Sequence, residues 1–355
     1  MEPPVSKLVM LRALVNPMRQ AVIVGGTGQI GQAVGQSLLR EGWRVTALSR
    51  SHAALMRDCN HVEVDARDTQ KLTAIVGDRT DLLLSCVGFD ERDAECLIQA
   101  GRAAGRIVAI SSASVYCDND GRTLDEAFEC GFPVFELPLN EQSPTVAPGS
   151  KTYSTRKVAM ENKLLTGASC PVTILRPCAI HGPQSKHARE WWFVKRLLDG
   201  RAVIPLAYQG PSRFQTTSVS AIADAILKAM AGKLPAVANV SDADSPAVSE
   251  IGRAIMNVMG VEAELIGLPE TASYPPELGA TPWSIPSPMI CSAAATAAMT
   301  YAQSVEPTVR WLVNTVDSNN WREYLPQLAA YPRDHFDYQS DEDALRLQGT
   351  KSLAD

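Results

Sequence analysis

The amino-acid sequence predicts an α/β fold, a doubly wound parallel sheet carrying a smaller C-terminal lobe. Two observations predict it. From Gln20 onward, short β-branched runs alternate with helical stretches, the rhythm of βαβ units whose sheet is covered by helices on both faces. Three glycines, Gly25, Gly28 and Gly31, stand between the first apolar run and the first amphipathic helix. A chain of 355 residues is long enough for one large domain with a lobe, or for two domains sharing an interface.

The elements follow in order. QAVIV is a strand, residues 30–41 a helix, WRVTALS a strand, 52–57 a helix and HVEVD a strand. Then come a helix over 69–76, the strand DLLLSCVG, a helix over 91–104 and the strand GRIVAISS. Residues 117–149, punctuated by Gly121, Gly131, Pro133, Pro138, Pro144 and Pro148, read as a long surface excursion in which Asp125 and Glu141 are solvated. A helix over 153–165 and the strand PVTILRP complete the first half. The expected division is a tail over 1–18, a nucleotide-binding domain over 19–185 that regains 213–245, a lobe mainly over 186–330, and a solvated acidic tail over 331–355.

Composition narrows the function classes. A formal net charge of −6 excludes a broad basic surface of the kind that neutralises nucleic-acid phosphates. No run approaches the ~18 apolar residues of a membrane span, and residues 1–20 lack a signal-peptide pattern. The eight cysteines are scattered without a C-x-x-C pair, as in a reduced cytoplasmic protein. His181 and His187 are spaced too loosely to read as a metal pair, and no metal site is expected. The expected partner is a small molecule, with no nucleic acid and no membrane.

The turn AVIVGGTGQIG carries the first chemistry. One glycine lets the chain turn sharply, one lets the backbone approach a pyrophosphate, and one lets helix and strand pack closely. The phosphates then sit on the free N–H groups of the helix N-terminus, so Gly25, Thr27, Gly28, Gln29, Ile30 and Gly31 are expected to hold a dinucleotide on a Rossmann-type sheet. The second strand ends in Ser49 and Arg50, where a carboxylate would select NAD(H); an arginine can instead pair with a 2′-phosphate, so NADP(H) is expected over NAD(H). Asp65, followed by Ala66, is placed to hydrogen-bond adenine, and Val87 and Gly88 fall where backbone passes the adenine ribose.

Tyr153 and Lys157 are four apart on a helical segment and share one face, where an ammonium lowers a phenol's pKa and makes it a usable acid/base. Ser111, Ser112 and Ser114 follow the fifth strand at the sheet's carboxyl edge, where open α/β sheets bind ligands.

In this order the glycine turn, SSASVY and YSTRK resemble the extended short-chain dehydrogenase/reductase superfamily of NAD(P)-dependent epimerases, dehydratases and reductases, over roughly residues 20–325. The resemblance implies that Ser112 orients substrate and Tyr153 donates the proton. It implies that Lys157 bonds the nicotinamide ribose, and that Ser111, Pro177, Cys178 and Ile180 belong to the cofactor site. It also suggests a homodimer through helices 91–104 and 153–165, although a monomer is equally compatible. Two departures matter. Ala179 replaces the asparagine that nucleotide-sugar enzymes carry after the sixth strand, and Ala113 and Ser114 replace the Asp-Glu pair of 4,6-dehydratases. Ser114, His181, Trp191 and Arg213 are candidate substrate contacts, with core packing the competing reading for the tryptophan and a plain loop residue for the histidine. The expected function is an NADP(H)-dependent oxidoreductase of carbonyl reductase or alcohol dehydrogenase type. The alternatives are a sugar or nucleotide-sugar epimerase and, from another class, a non-catalytic dinucleotide sensor or RNA-associated protein.

Overall fold

The computed structural model describes residues 18–51, 57–209, 212–269, 278–293, 295–296 and 299–348. The first half alternates as its pattern predicts: β1 (Gln20–Val24), α1 (Gln29–Arg40), β2 (Arg44–Ser49), β3 (Asn60–Glu63), α2 (Thr69–Val76), β4 (Leu82–Ser85), α3 (Glu91–Ala100), β5 (Arg106–Ile110), α4 (Tyr153–Gly167) and β6 (Val172–Pro177). The helix expected over 52–57 falls almost wholly outside the described residues. A later strand, β10 (Val237–Val240), pairs with β6, giving a seven-stranded parallel sheet in the order β10-β6-β5-β4-β1-β2-β3. Every residue of β4 is buried, because helices cover both faces of a parallel sheet. Ile23, Leu84 and Val108 pack under α1 and α6 (Val219–Met230) on one face. Val22, Leu83 and Ile107 pack under α2, α3 and α4 on the other.

Between β6 and β10 lie β7 (Ala179–His181), α5 (Trp191–Leu198), β8 (Val203–Leu206) and β9 (Thr216–Ser218); β7 and β9 form a small parallel pair beside the sheet. The lobe adds α7 (Val248–Met259), β11 (Glu264–Gly267), paired in parallel with β8, and α8 (Glu306–Thr315). Its core is aromatic, with Trp191, Trp192, Phe193, Trp283 and Trp321 all buried. No helix among the described residues is long and apolar enough to cross a membrane.

Two segments expected as solvated are anchored in part, each by a buried polar group that recruits chain to satisfy it. In the excursion Asp125 and Glu141 are exposed as expected, but other residues tie it down. Buried Asp118 accepts from the main-chain N–H groups of Asp120, Arg122 and Val134 and from Arg122 Nε. Phe135 and Leu139 enter a core cluster, and Glu141 accepts from Asn239 N in β10 at 2.8 Å. The C-terminal segment is docked as well. Its helix α9 (Tyr338–Gln348) and the turn before it close over the guanidinium of Arg196 on α5, which lies 3.5 Å from the Trp192 ring. Arg196 donates to His335 O at 2.8 Å and pairs with Asp341 at 3.2 Å, both partners being buried. Arg196→Ala would leave Asp341 buried without its cation, so a loss of about 3–5 kcal/mol in denaturant unfolding is expected. Limited proteolysis should cut near 335–345 in that variant and spare the parent protein.

Candidate active site

The glycine turn is built against β2. Gly25, at φ +80°, and Gly26 both donate to Leu48 O at 3.0 Å. A Cβ on Gly26 would stand 2.5 Å from that of Ala47, and one on Gly31 only 2.4 Å from Gly25 O, whereas one on Gly28 would meet nothing nearer than 3.4 Å. The division of labour is therefore as the triplet predicts, with Gly26 a fourth, unforeseen member that lets the turn lie on the second strand. Gly28 caps α1 with no side-chain bond, and no acidic residue occupies the first turn. The helix end thus presents backbone N–H groups and a positive dipole to the cleft. A glycine cradle of this shape fits a dinucleotide pyrophosphate. Gln29 Nε2, bonded to Gly182 O at 3.0 Å, ties the turn to the loop after β7.

Around it runs a cleft of about 920 Å³. Gly25, Thr27, Gly28, Gln29, Ile30 and Gly31 line one end. Val87, Ser112, Ser114, Tyr153, Cys178 and Ile180 line its middle. The remaining cofactor candidates stand outside this lining. Ser49 Oγ contacts Ser51 O at 2.6 Å and His61 Nε2 at 2.7 Å. Arg50 is exposed at the end of β2 with no ion pair among the described residues. Asp65 Oδ1 accepts from Arg67 N at 2.9 Å across Ala66. Gly88 lies under Met160, too close for a Cβ, and Pro177 is buried at the end of β6.

Tyr153 opens α4 behind a Thr152/Thr155 capping box. Its phenol is pushed up to about 12, chiefly by burial, with Ser112 opposing the rise. Lys157 reaches the same face, its Nζ 5.5 Å from the Tyr153 ring centroid and 4.9 Å from that of Phe89. The expected lowering of the tyrosine does not occur in this structure. Burial outweighs Ser112 and the Arg156 cation, and the Lys157 ammonium is turned to the main chain, donating to Gly88 O at 2.6 Å and Ile110 O at 2.9 Å. Lys157 itself is pushed down to about 8, again chiefly by burial, with Glu161 opposing. Ser111 is also corrected. Its hydroxyl turns away from the cleft to Glu161, whose carboxylate binds Arg176 through Nη2 at 2.6 Å and Nε at 3.1 Å. Glu161 lies four residues after Lys157, the one sequence signal that could have disclosed it.

Three substrate candidates leave the site. His181 is buried and bonds Asp242 at 2.8 Å with Tyr301 edge-on to its ring, because β7 turns that side chain inward. Trp191 belongs to the lobe core. Arg213 points outward to Ser245 O at 2.6 Å and Glu250 at 3.5 Å. In their place the far end of the cleft carries Lys186, Arg189 and Arg333, with Tyr331 and His187. Arg189 forms no ion pair among the described residues, and its buried Nε has no hydrogen-bond partner. His187, bonded to Tyr331 at 3.0 Å, is pushed down to about 2 by burial and Arg189, so it is neutral. Arg333 and Tyr331 had no local signal, since the docked C-terminal segment brings them in.

Lys157 gives a pH signature. Its pKa falls from 10.5 to about 8 on folding, so between those values the unfolded chain binds the extra proton and stability rises with pH. Denaturant titrations from pH 7 to 10 should show that rise, on the order of 3 kcal/mol at most. Lys157→Met should flatten it.

Residues 21–240 match the model of the NAD dependent epimerase/dehydratase family. A curated relative, the chloroplast stem-loop binding protein of 41 kDa b from Arabidopsis thaliana, is 27% identical over 228 residues, 60% of this chain. The chain spans about half of that relative's length, 55%. UDP-glucose 4-epimerase from Thermotoga maritima, solved with UDP-glucose, superposes with a TM-score of 0.64 at 15% identity, covering 83% of this chain and 99% of that one. UDP-N-acetylglucosamine 4-epimerase from Methanobrevibacter ruminantium, in complex with UDP-N-acetylmuramic acid, gives 0.65 at 17% identity over 84% and 99%. WbmH from Bordetella bronchiseptica, in complex with NAD+, gives 0.62 at 18% identity over 84% and 99%. At these identities the structures show a shared fold.

Proposed function

The chain belongs to the NAD dependent epimerase/dehydratase family and is a nicotinamide-dinucleotide-dependent enzyme of the extended short-chain dehydrogenase/reductase type; from that premise we propose that it is an epimerase inverting a carbinol carbon of a sugar or nucleotide sugar. This replaces the carbonyl reductase as the leading reading, since solved structures that share its fold include 4-epimerases. The observation that carries it is the placement of Ser112 and Tyr153 in the lining of the same cleft as the glycine turn.

A nicotinamide dinucleotide held at the glycine turn would supply reversible hydride transfer at the carbinol carbon. Tyr153 Oη, once ionised to the phenolate, would accept the hydroxyl proton as a transient ketone forms and give it back on reduction. Ser112 Oγ holds the same substrate oxygen. Lys157 Nζ lies 5.5 Å from the Tyr153 ring but is turned to Gly88 O and Ile110 O, so the ribose contact that the resemblance implies would require its ammonium to swing from those carbonyls toward the cleft. At the far end Lys186, Arg189 and Arg333 supply charge for an anionic substrate group, in a chain where Ala179 stands for the asparagine. Exposed Arg50, which forms no ion pair among the described residues, supports NADP(H) as the preferred cofactor. A homodimer through α3 and α4, where Leu165 is exposed, belongs to the same proposal.

Incubation of nucleotide sugars with trace NADP+ should yield the isomer without net change in NADPH absorbance. Steady NADPH oxidation by ketones without isomerisation would overturn the proposal in favour of a reductase. Tyr153→Phe should lower turnover roughly 10²–10⁴-fold while leaving cofactor affinity nearly unchanged. Arg189→Gln combined with Arg333→Gln should raise KM by roughly tenfold or more, with a smaller effect on kcat. Arg50→Asp should weaken NADPH binding far more than NADH binding in fluorescence titration.

A second reading, RNA association, is favoured only by the name of the Arabidopsis relative. A net charge of −6 weighs against it, and gel-shift titration with a hairpin RNA decides the matter.

A further inference from the structure

Residues 117–149 leave the sheet after β5 and return at α4, and on the way they bring an acid to the reacting end of the cleft. Asp125 is the one Asp or Glu among the described residues lining it. Its Oδ2 accepts from Ser154 N at 2.7 Å, in the first turn of α4 directly after Tyr153. Ser154 Oγ in turn donates to Ser114 O at 2.7 Å, so excursion, post-β5 turn and catalytic helix are clasped together. One carboxylate oxygen is therefore fixed by a main-chain donor at a helix N-terminus. The other, Oδ1, forms no hydrogen bond or ion pair among the described residues, and Asp125 is exposed to the cleft. Beside it Ser114 Oγ, also in the lining, is buried without a partner.

We propose that Asp125 contacts the substrate directly, its free oxygen accepting a hydrogen bond from a hydroxyl adjacent to the carbinol that Tyr153 deprotonates, so that the pocket selects vicinal diols. The proposal rests on the epimerase reading above. A carboxylate only accepts hydrogen bonds, so it favours a hydroxyl and repels an anion. A substrate lacking that hydroxyl leaves a charged acceptor unpaired in a partly desolvated cleft, the circumstance in which a polar site discriminates most strongly. It also separates the two ends of one ligand, the hydroxyl-bearing part toward Asp125 and an anionic part toward Arg189 and Arg333. The position is not the one at which 4,6-dehydratases carry their acids, where Ala113 and Ser114 stand here.

The same placement gives a readout that needs no substrate. The groups facing the Tyr153 phenol are Ser112, Asp125, Arg156 and Lys157, and of these Asp125 holds its proton on. Asp125→Asn keeps an oxygen for Ser154 N and removes the charge. Ultraviolet titration of phenolate, taken as the difference from Tyr153→Phe, should place Tyr153 ionisation at lower pH in Asp125→Asn than in the parent protein. An unchanged titration together with an unchanged preference for the hydroxylated substrate would overturn the proposal and leave Asp125 a helix cap. On the unmodified protein, kcat/KM for a nucleotide sugar that it isomerises should exceed that for the analogue deoxygenated beside the reacting carbon by roughly tenfold or more. Equal values would overturn it even if the variant fails to fold. Retained turnover in Tyr153→Phe would instead remove the epimerase reading, an outcome the Asp125 titration does not share.

Discussion

The buried ion pair between Glu161 and Arg176 is the interaction on which the arrangement of the site depends. Two charges this far from water are stable only when every remaining donor and acceptor is met, and the surrounding chain is organised to meet them. Glu161 also receives the Ser111 hydroxyl at the end of β5. Arg176 donates to Tyr116 Oη at 3.2 Å, and Tyr116 Oη donates to Asn239 Oδ1 on β10 at 2.8 Å. Asn239 then reaches Ser292 O and Thr296 in the lobe. One pair thereby locks α4 in rotation against the carboxyl edge of the sheet. Tyr153 and Lys157, on the preceding turns of that helix, inherit their direction from it.

That dependence explains what was legible in the sequence. The strand–helix alternation, the glycine turn and the Tyr153/Lys157 face follow from local rules of backbone sterics and helical spacing, and each is found where those rules put it. Ser111 and Ser112 are adjacent and chemically alike, and only the partner on α4 decides that the first turns inward while the second meets Tyr153. His181 and Arg213 likewise have the composition of site residues, yet Asp242 takes one and Ser245 and Glu250 the other. Residues whose role is set by a distant partner carry no local signature of it. The same holds for Asp125, whose direction is set by an N–H group 29 residues away.

The electrostatics of the cleft are graded rather than uniform. Its phosphate end offers backbone N–H groups, its centre a neutral phenol and hydroxyl with one carboxylate beside them, and its far end guanidinium and ammonium groups. A ligand entering with mixed charge meets a potential that sets its direction before any close contact forms.

The docking of residues 335–341 onto Arg196 has a consequence for the order in which the protein becomes competent. During synthesis, the turn that holds phosphates is complete within the first tenth of the chain, and the sheet closes when β10 emerges. Tyr331 and Arg333, which wall the far end of the cleft and meet His187 and Thr281 O, emerge only after the sheet has closed. The wall that would meet the far end of a ligand is therefore the last part of the cleft to be assembled.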